Sequence, residues 1–281
     1  MITDSETNHL YLADTLPERH PSFYRRFEQV LADCGIHCSL LPGTKDIWAV
    51  DYMPVQVEAD HYVRFTYNPD YLQGRKWQKT ISDADSICGE IGISPEKSAI
   101  VLDGGNVVRG PEAVILCDKV FRENPHIPEK RLIKELRELL RTDRLIFIPT
   151  DPSDKIGHAD GMVRFLDSRT VLINDYSLER PQFQRTFRMA LHNAGLDWVE
   201  ISYNPYGNKE PLQANGIYIN YLQMKDKVML PTFGTEEDET VVRQFEQLFT
   251  GSTVATVDSN EIAIEGGVLN CITWNILKSP L

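Results

Sequence analysis

Four polar residues of this 281-residue chain recur at nearly constant spacing, and their types can do chemistry together. Asp51 lies in "WAVDYMP", Asn106 in "DGGNVV", Asp160 in "GHADGMVRF" and Cys271 in "NCIT"; the intervals are 55, 54 and 111 residues, the last about twice the others. His158 stands two residues before Asp160, so on a strand the two side chains share a face. Taken singly, Cys271 reads as a buried structural thiol, His158 as a satisfied core histidine and Asp160 as a strand-end cap. Taken together they form a set: a thiolate is a strong nucleophile for an electrophilic carbon, and a neighbouring imidazole moves protons near neutral pH. Two carboxylates hinder attack on an anion but suit a planar cation, because carboxylate and guanidinium match in bidentate geometry. Two aspartates holding a guanidinium, with the thiol aimed at its central carbon, give a tetrahedral intermediate and then a thiouronium. His158 would protonate departing ammonia and later activate water. That chemistry calls for no metal and no organic cofactor.

Residues this far apart in sequence need a repeating scaffold to meet. Five segments carry an apolar stripe at helical spacing: Phe23 to Cys34, Trp77 to Ile91, Leu132 to Leu140, Phe183 to Ala194 and Val241 to Phe249. Four of them stop at a glycine suited to a left-handed cap (Gly35, Gly92, Gly195 and Gly251), at intervals of 57, 103 and 56. After each helix comes a short strand ("IHCSLL", "SAIVLD", "DRLIFIP", "LDWVEIS", "STVATVD"), then a second that holds the chemical residues, then a third. The fifth unit lacks its third strand, but "HLYLA", residues 9 to 13, precedes the first helix where third strands precede the others. Pairing of that N-terminal strand with the C-terminal one would close a ring. A period of fifty-odd residues signals a circular array of units that cannot bury their apolar faces alone. The expectation is therefore one α/β domain, residues 1–281, with five units about a pseudo-fivefold axis and the middle strands lining it. Two α/β domains side by side are the alternative.

Composition narrows the partners. With 42% hydrophobic and 25% charged residues the chain is globular in type, and its longest apolar runs are strand-sized rather than membrane-spanning. The opening "MITDSETNHLYLAD" has no basic or apolar leader character. A net charge of −12 without a basic block disfavours nucleic acid and anionic membrane as partners and favours a small cationic substrate. Five cysteines, odd in number and without a CxxC pair, suit a reducing cytoplasm. Cys34, His37 and Cys38 cluster, but no second ligand pair follows at zinc-site spacing. The oligomeric state, homo-oligomer or monomer, is not written in these features.

The segments "TKDIWAVDYMP" (44–54), "LDGGN" (102–106), "GHADGMVRF" (157–165) and "GGVLNCIT" (266–273) resemble, in order, the landmarks of the agmatine deiminase and bacterial (Porphyromonas-type) peptidylarginine deiminase family. "NGIYINYLQMKDKVMLPTF" (215–233) is similar to its Asn-rich strand pair, so the resemblance runs from about residue 40 to residue 275. It implies the pentein fold, a five-bladed α/β propeller with its active site on the axis. It also implies Cys271 as nucleophile, His158 as general acid/base, Asp51 and Asp160 as the guanidinium carboxylates, and Trp48 lining the substrate channel. Arg164, four residues after Asp160, would share its face on an unbroken strand and pair with a carboxylate near the site, and Asn106 either contacts substrate or shapes the turn after Gly104 and Gly105. Tyr176, Tyr203 and Tyr206 fall in loop-like stretches without an assignment. Three departures from the family pattern bear on which guanidine is taken: Val50 where Arg is usual, Met53 where Gly is usual, and Asn270 where His precedes the nucleophile. The expected activity is hydrolysis of a guanidine to ammonia and a ureido product. Amidino transfer to an amine uses the same intermediate, and a non-catalytic binding member of the fold, like the ribosome anti-association factors, would have no need of the reactive set.

Overall fold

A computed structural model describes residues 1–278. Its strands fall into five three-stranded sheets of one pattern. In four of them a short strand pairs antiparallel with the next strand in the chain, a helix crosses over, and the strand after that helix pairs parallel with the middle one. Phe165 thus sits opposite Val171, and Thr170 opposite Asp197 across the parallel edge. The remaining sheet is built from both ends of the chain: His9–Ala13 lies between Cys38–Leu41, to which it is parallel, and Thr273–Ile276, to which it is antiparallel. Tyr11 faces Trp274 in that register, and the two rings lie 5.3 Å apart. The expected pairing of the N-terminal strand beside the segment containing Cys271 is what is found.

The glycine caps behave as their chemistry requires. Gly35, Gly92, Gly195 and Gly251 all have φ between +67° and +91°, the left-handed region that only a residue without Cβ enters cheaply. The helices they close bury their stripes: Phe23, Phe27 and Leu31 from Pro21–Asp33 join Leu10, Leu12 and Val257 in one core cluster, and Phe183, Phe187 and Leu191 from Pro181–Asn193 pack with Ile146 and Ile148 in another.

Two expectations need correction. The stripe from Trp77 to Ile91 is not one helix but a turn of helix, Arg75–Gln78, followed by Ala84–Glu90. Asp83 separates them by accepting the amide N–H of Ser86 and starting a new helix, which leaves Trp77 48% exposed. The second correction concerns the strands expected to carry the chemical residues, which are second in each unit along the chain and lie at the edge of each sheet. They begin after the chemical residues: Val55–Glu58, Val108–Arg109, Val163–Phe165, Leu222–Met224 and Thr273–Ile276. Asp51 lies in the helical turn Ala49–Tyr52, Asn106 in the 3-10 turn Gly104–Asn106, and Asp160 in the 3-10 turn Ala159–Gly161. Their apolar neighbours are buried as such neighbours on a strand would be, and so gave the same sequence signal.

Candidate active site

The turns that precede these edge strands carry the candidate side chains to one place. Gly105 marks it. A Cβ on Gly105 would stand 2.7 Å from Asp51 Oδ1, 2.7 Å from His158 Nδ1 and 3.3 Å from Asp160 Oδ2. Gly105 instead donates its N–H to Asp51 Oδ1 at 3.1 Å, and His158 Nδ1 lies 3.3 Å from the same oxygen. Cys271 Sγ is 3.8 Å from Asp160 Oδ2, to which Asn270 Nδ2 donates at 2.6 Å. The backbone at Cys271 is fixed from two sides: Val50 N–H donates to the Cys271 carbonyl, and Cys271 N–H donates to Asn220 Oδ1, both at 3.3 Å. Of the sequence-derived set, Asp51, His158, Asp160 and Cys271 therefore come together.

Asp103 was missed, although it stands three residues before Asn106. Its Oδ2 meets His158 Nε2 at 2.7 Å, so the imidazole is held between two carboxylates, Asp51 on one nitrogen and Asp103 on the other. The spacing count picked Asn106 instead. The 3-10 turn points Asp103 at His158 and turns Asn106 back to the strand Val114–Cys117, where its Oδ1 accepts the Cys117 N–H at 2.8 Å. Asn106 is fully buried there and does not line the cavity. Arg164 is likewise turned away, because the 3-10 turn at Ala159–Gly161 breaks the strand alternation that a spacing of four assumed. It donates to Asp4 Oδ2 at 2.6 Å and to the Tyr221 carbonyl at 2.8 Å, stacks over the Tyr221 ring, and lines a small separate cavity behind Asp160. Trp48 is partly buried beside Cys271: a Cβ on Gly267 would meet its ring at 2.5 Å and Cys271 Sγ at 3.1 Å. Gly267 is the contact through which indole and thiol approach.

His158, Asp160 and Cys271 open into a cavity of about 290 Å³. The segment 203–214 supplies much of its wall, with Tyr203, Tyr206 and Leu212 among the side chains. No periodic pattern marks that segment in the sequence. Glu179 also lines the cavity, is 9% exposed, and accepts from Tyr206 Oη at 3.1 Å and Ser153 Oγ at 3.3 Å. Among the described residues neither Asp160 nor Glu179 has an ion-pair partner. Nor is any group of three or more His, Cys, Asp or Glu side chains among them placed to hold a metal ion. No described helix is long and apolar enough to cross a membrane.

Burial dominates the electrostatics. It pushes the Asp51 carboxyl up to about 7, against the pull of His158 and with the help of Asp103 and Asp160. Asp160 is raised by burial too, with His158 and the Asn270 amide opposing. For His158, burial disfavours the imidazolium, but Asp51 and Asp103 outweigh it and lift the group to about 9. The Cys271 thiol is held well above its ordinary range by burial first, then by Asp160 and Asp51. These shifts pair a protonated thiol with a protonated imidazole.

Comparison with known proteins gives the fold and the family. The solved C. jejuni agmatine deiminase superposes with a TM-score of 0.81 at 17% identity, covering 99% of this chain and 96% of that one. The agmatine deiminase of Enterococcus faecalis gives 0.76 at 16%, over 99% and 95%. Both have the pentein fold, which is the fold of this chain, and its five small sheets fit the five blades. In sequence, the agmatine deiminase of Pseudomonas aeruginosa is 23% identical over 208 residues, 62% of this chain and 56% of that one. The match takes in 62% of the length of a Streptococcus mutans relative and 64% of one from Vibrio parahaemolyticus. A family model described as Porphyromonas-type peptidyl-arginine deiminase matches residues 7–276, and the chain belongs to that family.

Proposed function

We propose that this protein hydrolyses a small guanidine, releasing ammonia and leaving a ureido product, with Cys271 as covalent nucleophile. The observation that carries the reading is a thiol 3.8 Å from a buried carboxylate that has no cationic partner among the described residues, beside a second carboxylate and an imidazole. Such a pocket is costly when empty and is satisfied by a cation. A guanidinium seated between Asp51 and Asp160 offsets the two carboxylates that, after burial, hold the thiol in its protonated form. With substrate present the thiol gives its proton to solvent and becomes the thiolate. It adds to the guanidinium carbon, giving a tetrahedral intermediate. His158 gives its proton to the departing nitrogen as the C–N bond breaks, and a thiouronium remains on Sγ. Neutral His158 takes a proton from water as the water adds to the same carbon, and the C–S bond breaks to release the ureido product.

Around the same cavity stand the carboxylates Glu179, Asp154 and Glu210 against one lysine, Lys209. This balance suits a substrate with a second positive charge at its other end and disfavours one ending in a carboxylate. The test is ammonia and ureido product measured across agmatine, arginine, methylated arginines and peptidyl-arginine, with and without an added amine acceptor. Agmatine is expected to give the highest kcat/KM, by about tenfold or more over arginine, and Glu179→Gln is expected to reduce that preference. Ammonia from none of the four overturns the reading. A guanidino product on the added amine, formed without ammonia, turns it toward amidino transfer.

A further inference from the structure

Behind the imidazole lies a buried cation that the reaction scheme does not use. Lys119 follows Asp118 at the start of the helix Lys119–Glu123, a place where a lysine ordinarily faces water, yet it is 1% exposed. Its Nζ lies 3.4 Å from Asp103 Oδ2, the oxygen that also meets His158 Nε2 at 2.7 Å and the Tyr71 hydroxyl at 3.3 Å. It donates to the carbonyl of Ile156, two residues before His158, at 2.8 Å. Glu123 Oε1 at 3.3 Å and Asp70 Oδ1 at 3.8 Å complete its shell, and it sits over the Tyr71 ring at 5.0 Å. Three donors therefore share one oxygen of Asp103, while Asp103 Oδ1 has no hydrogen-bond partner among the described residues.

We propose that Lys119 is a positioning residue: through the Asp103 oxygen it shares with His158 and the Ile156 carbonyl it holds, it fixes the imidazole and sets the pH at which His158 gives up its proton. The link to turnover rests on His158 being the proton carrier. The charged and titratable groups around the pair come from six places: Asp51, Asp103, Asp160, Tyr71 with Asp70, Lys119 and Glu123. Among them Lys119 alone is a fixed cation, so it opposes a second positive charge on the ring, whereas Asp51 and Asp103 favour it. Its loss acts twice in one direction. The imidazolium is no longer repelled, and Asp103 has no competing cation.

The decisive measurement is a histidine proton NMR titration of the full chain from pH 6 to 10, the His158 signal being identified by its disappearance in His158→Gln. In Lys119→Met the midpoint is expected to rise by about one unit, a tenfold gain in proton affinity, while Lys119→Arg keeps it within about 0.3 unit of the parent. If Lys119→Met does not fold, Lys119→Met in a Glu123→Gln background keeps the net charge, and the same rise is expected. A midpoint unmoved or lowered in a folded variant overturns the proposal. The alkaline limb of kcat/KM for ammonia release is expected to move with the midpoint. If the midpoint rises and the limb stays, the placement of Lys119 stands and the assignment of His158 as proton carrier falls.

Discussion

Gly105→Ala is a one-carbon test of whether Asp51, His158 and Asp160 work as a unit. The added methyl would stand 2.7 Å from both Asp51 Oδ1 and His158 Nδ1, against an ordinary contact of 3.4 Å or more, so each must retreat by about 0.7 Å. Neither can do so freely. Asp51 is tied to the Gly105 N–H and the imidazole to Asp103, and moving one stretches its 3.3 Å contact with the other. The backbone itself is no obstacle, since Gly105 is not among the glycines in the left-handed region. Overpacking of this kind costs about 1–3 kcal/mol of stability. In a chain of this size that lowers the melting temperature by about 2–4 °C per kcal/mol. Catalysis should suffer far more, because misplacing reacting groups by about 1 Å costs about 10²-fold. The assay is ammonia release against substrate concentration, with a thermal melt in parallel. Gly89→Ala serves as control, since a Cβ there meets nothing within 4 Å, and activity should be unchanged. The reasoning is refuted if Gly105→Ala stays folded and keeps kcat/KM within threefold of the parent.

Three further outcomes are expected. Cys271→Ser should lose about 10³-fold or more in turnover, and mass spectrometry should find no substrate-derived adduct on it, whereas unchanged ammonia release would return Cys271 to a packing role. Asn270→Ala removes the 2.6 Å amide hydrogen bond to Asp160, a bond to a charged group worth about 1.5–3 kcal/mol, so kcat/KM should fall about 10- to 100-fold with the larger part in KM. Stability should depend on pH through His158. Its value in the folded protein, about 9, is above the ordinary 6.5, so it adds stability that is whole below pH 6.5 and gone once the pH passes about 9. The span corresponds to about 3 kcal/mol. A melting curve series should show that decline in the parent and a flatter course over the same range in His158→Gln.

The sequence was most informative where a rule of backbone chemistry or a repeat count bore directly on a residue. Glycines that end helices announced the period, and the period found Asp51, Asp160 and Cys271 without any knowledge of contacts. The missing last strand likewise announced the pairing of His9–Ala13 with Thr273–Ile276. What was illegible has a common cause. The functional residues occupy short turns, where direction depends on one or two dihedral angles rather than on alternation. In "LDGGN" a count in steps of about 55 selects Asn106, and only the geometry of the 3-10 turn shows that Asp103 is the one that reaches His158. Lys119 is invisible for another reason: besides Glu123 on its own helix, its partners Asp103 and Asp70 reach it from separate segments. The cavity wall from 203 to 214 carries neither period nor motif.

The sheet made from both ends of the chain has a consequence for biosynthesis. As the polypeptide emerges, His9–Ala13 can pair with Cys38–Leu41 early, but its other edge stays open until Thr273–Ile276 have been made. At about 5–20 residues per second, that edge is exposed for tens of seconds. It is an apolar strand, with Leu10 and Leu12 fully buried in the finished molecule, and an unpaired edge of that kind recruits other chains. The arriving strand that covers it also carries Cys271 into the cavity, two residues ahead of Thr273. A nascent or truncated chain lacking that strand is therefore at once sticky and without its thiol in place, and chaperone engagement should persist until the last blade closes.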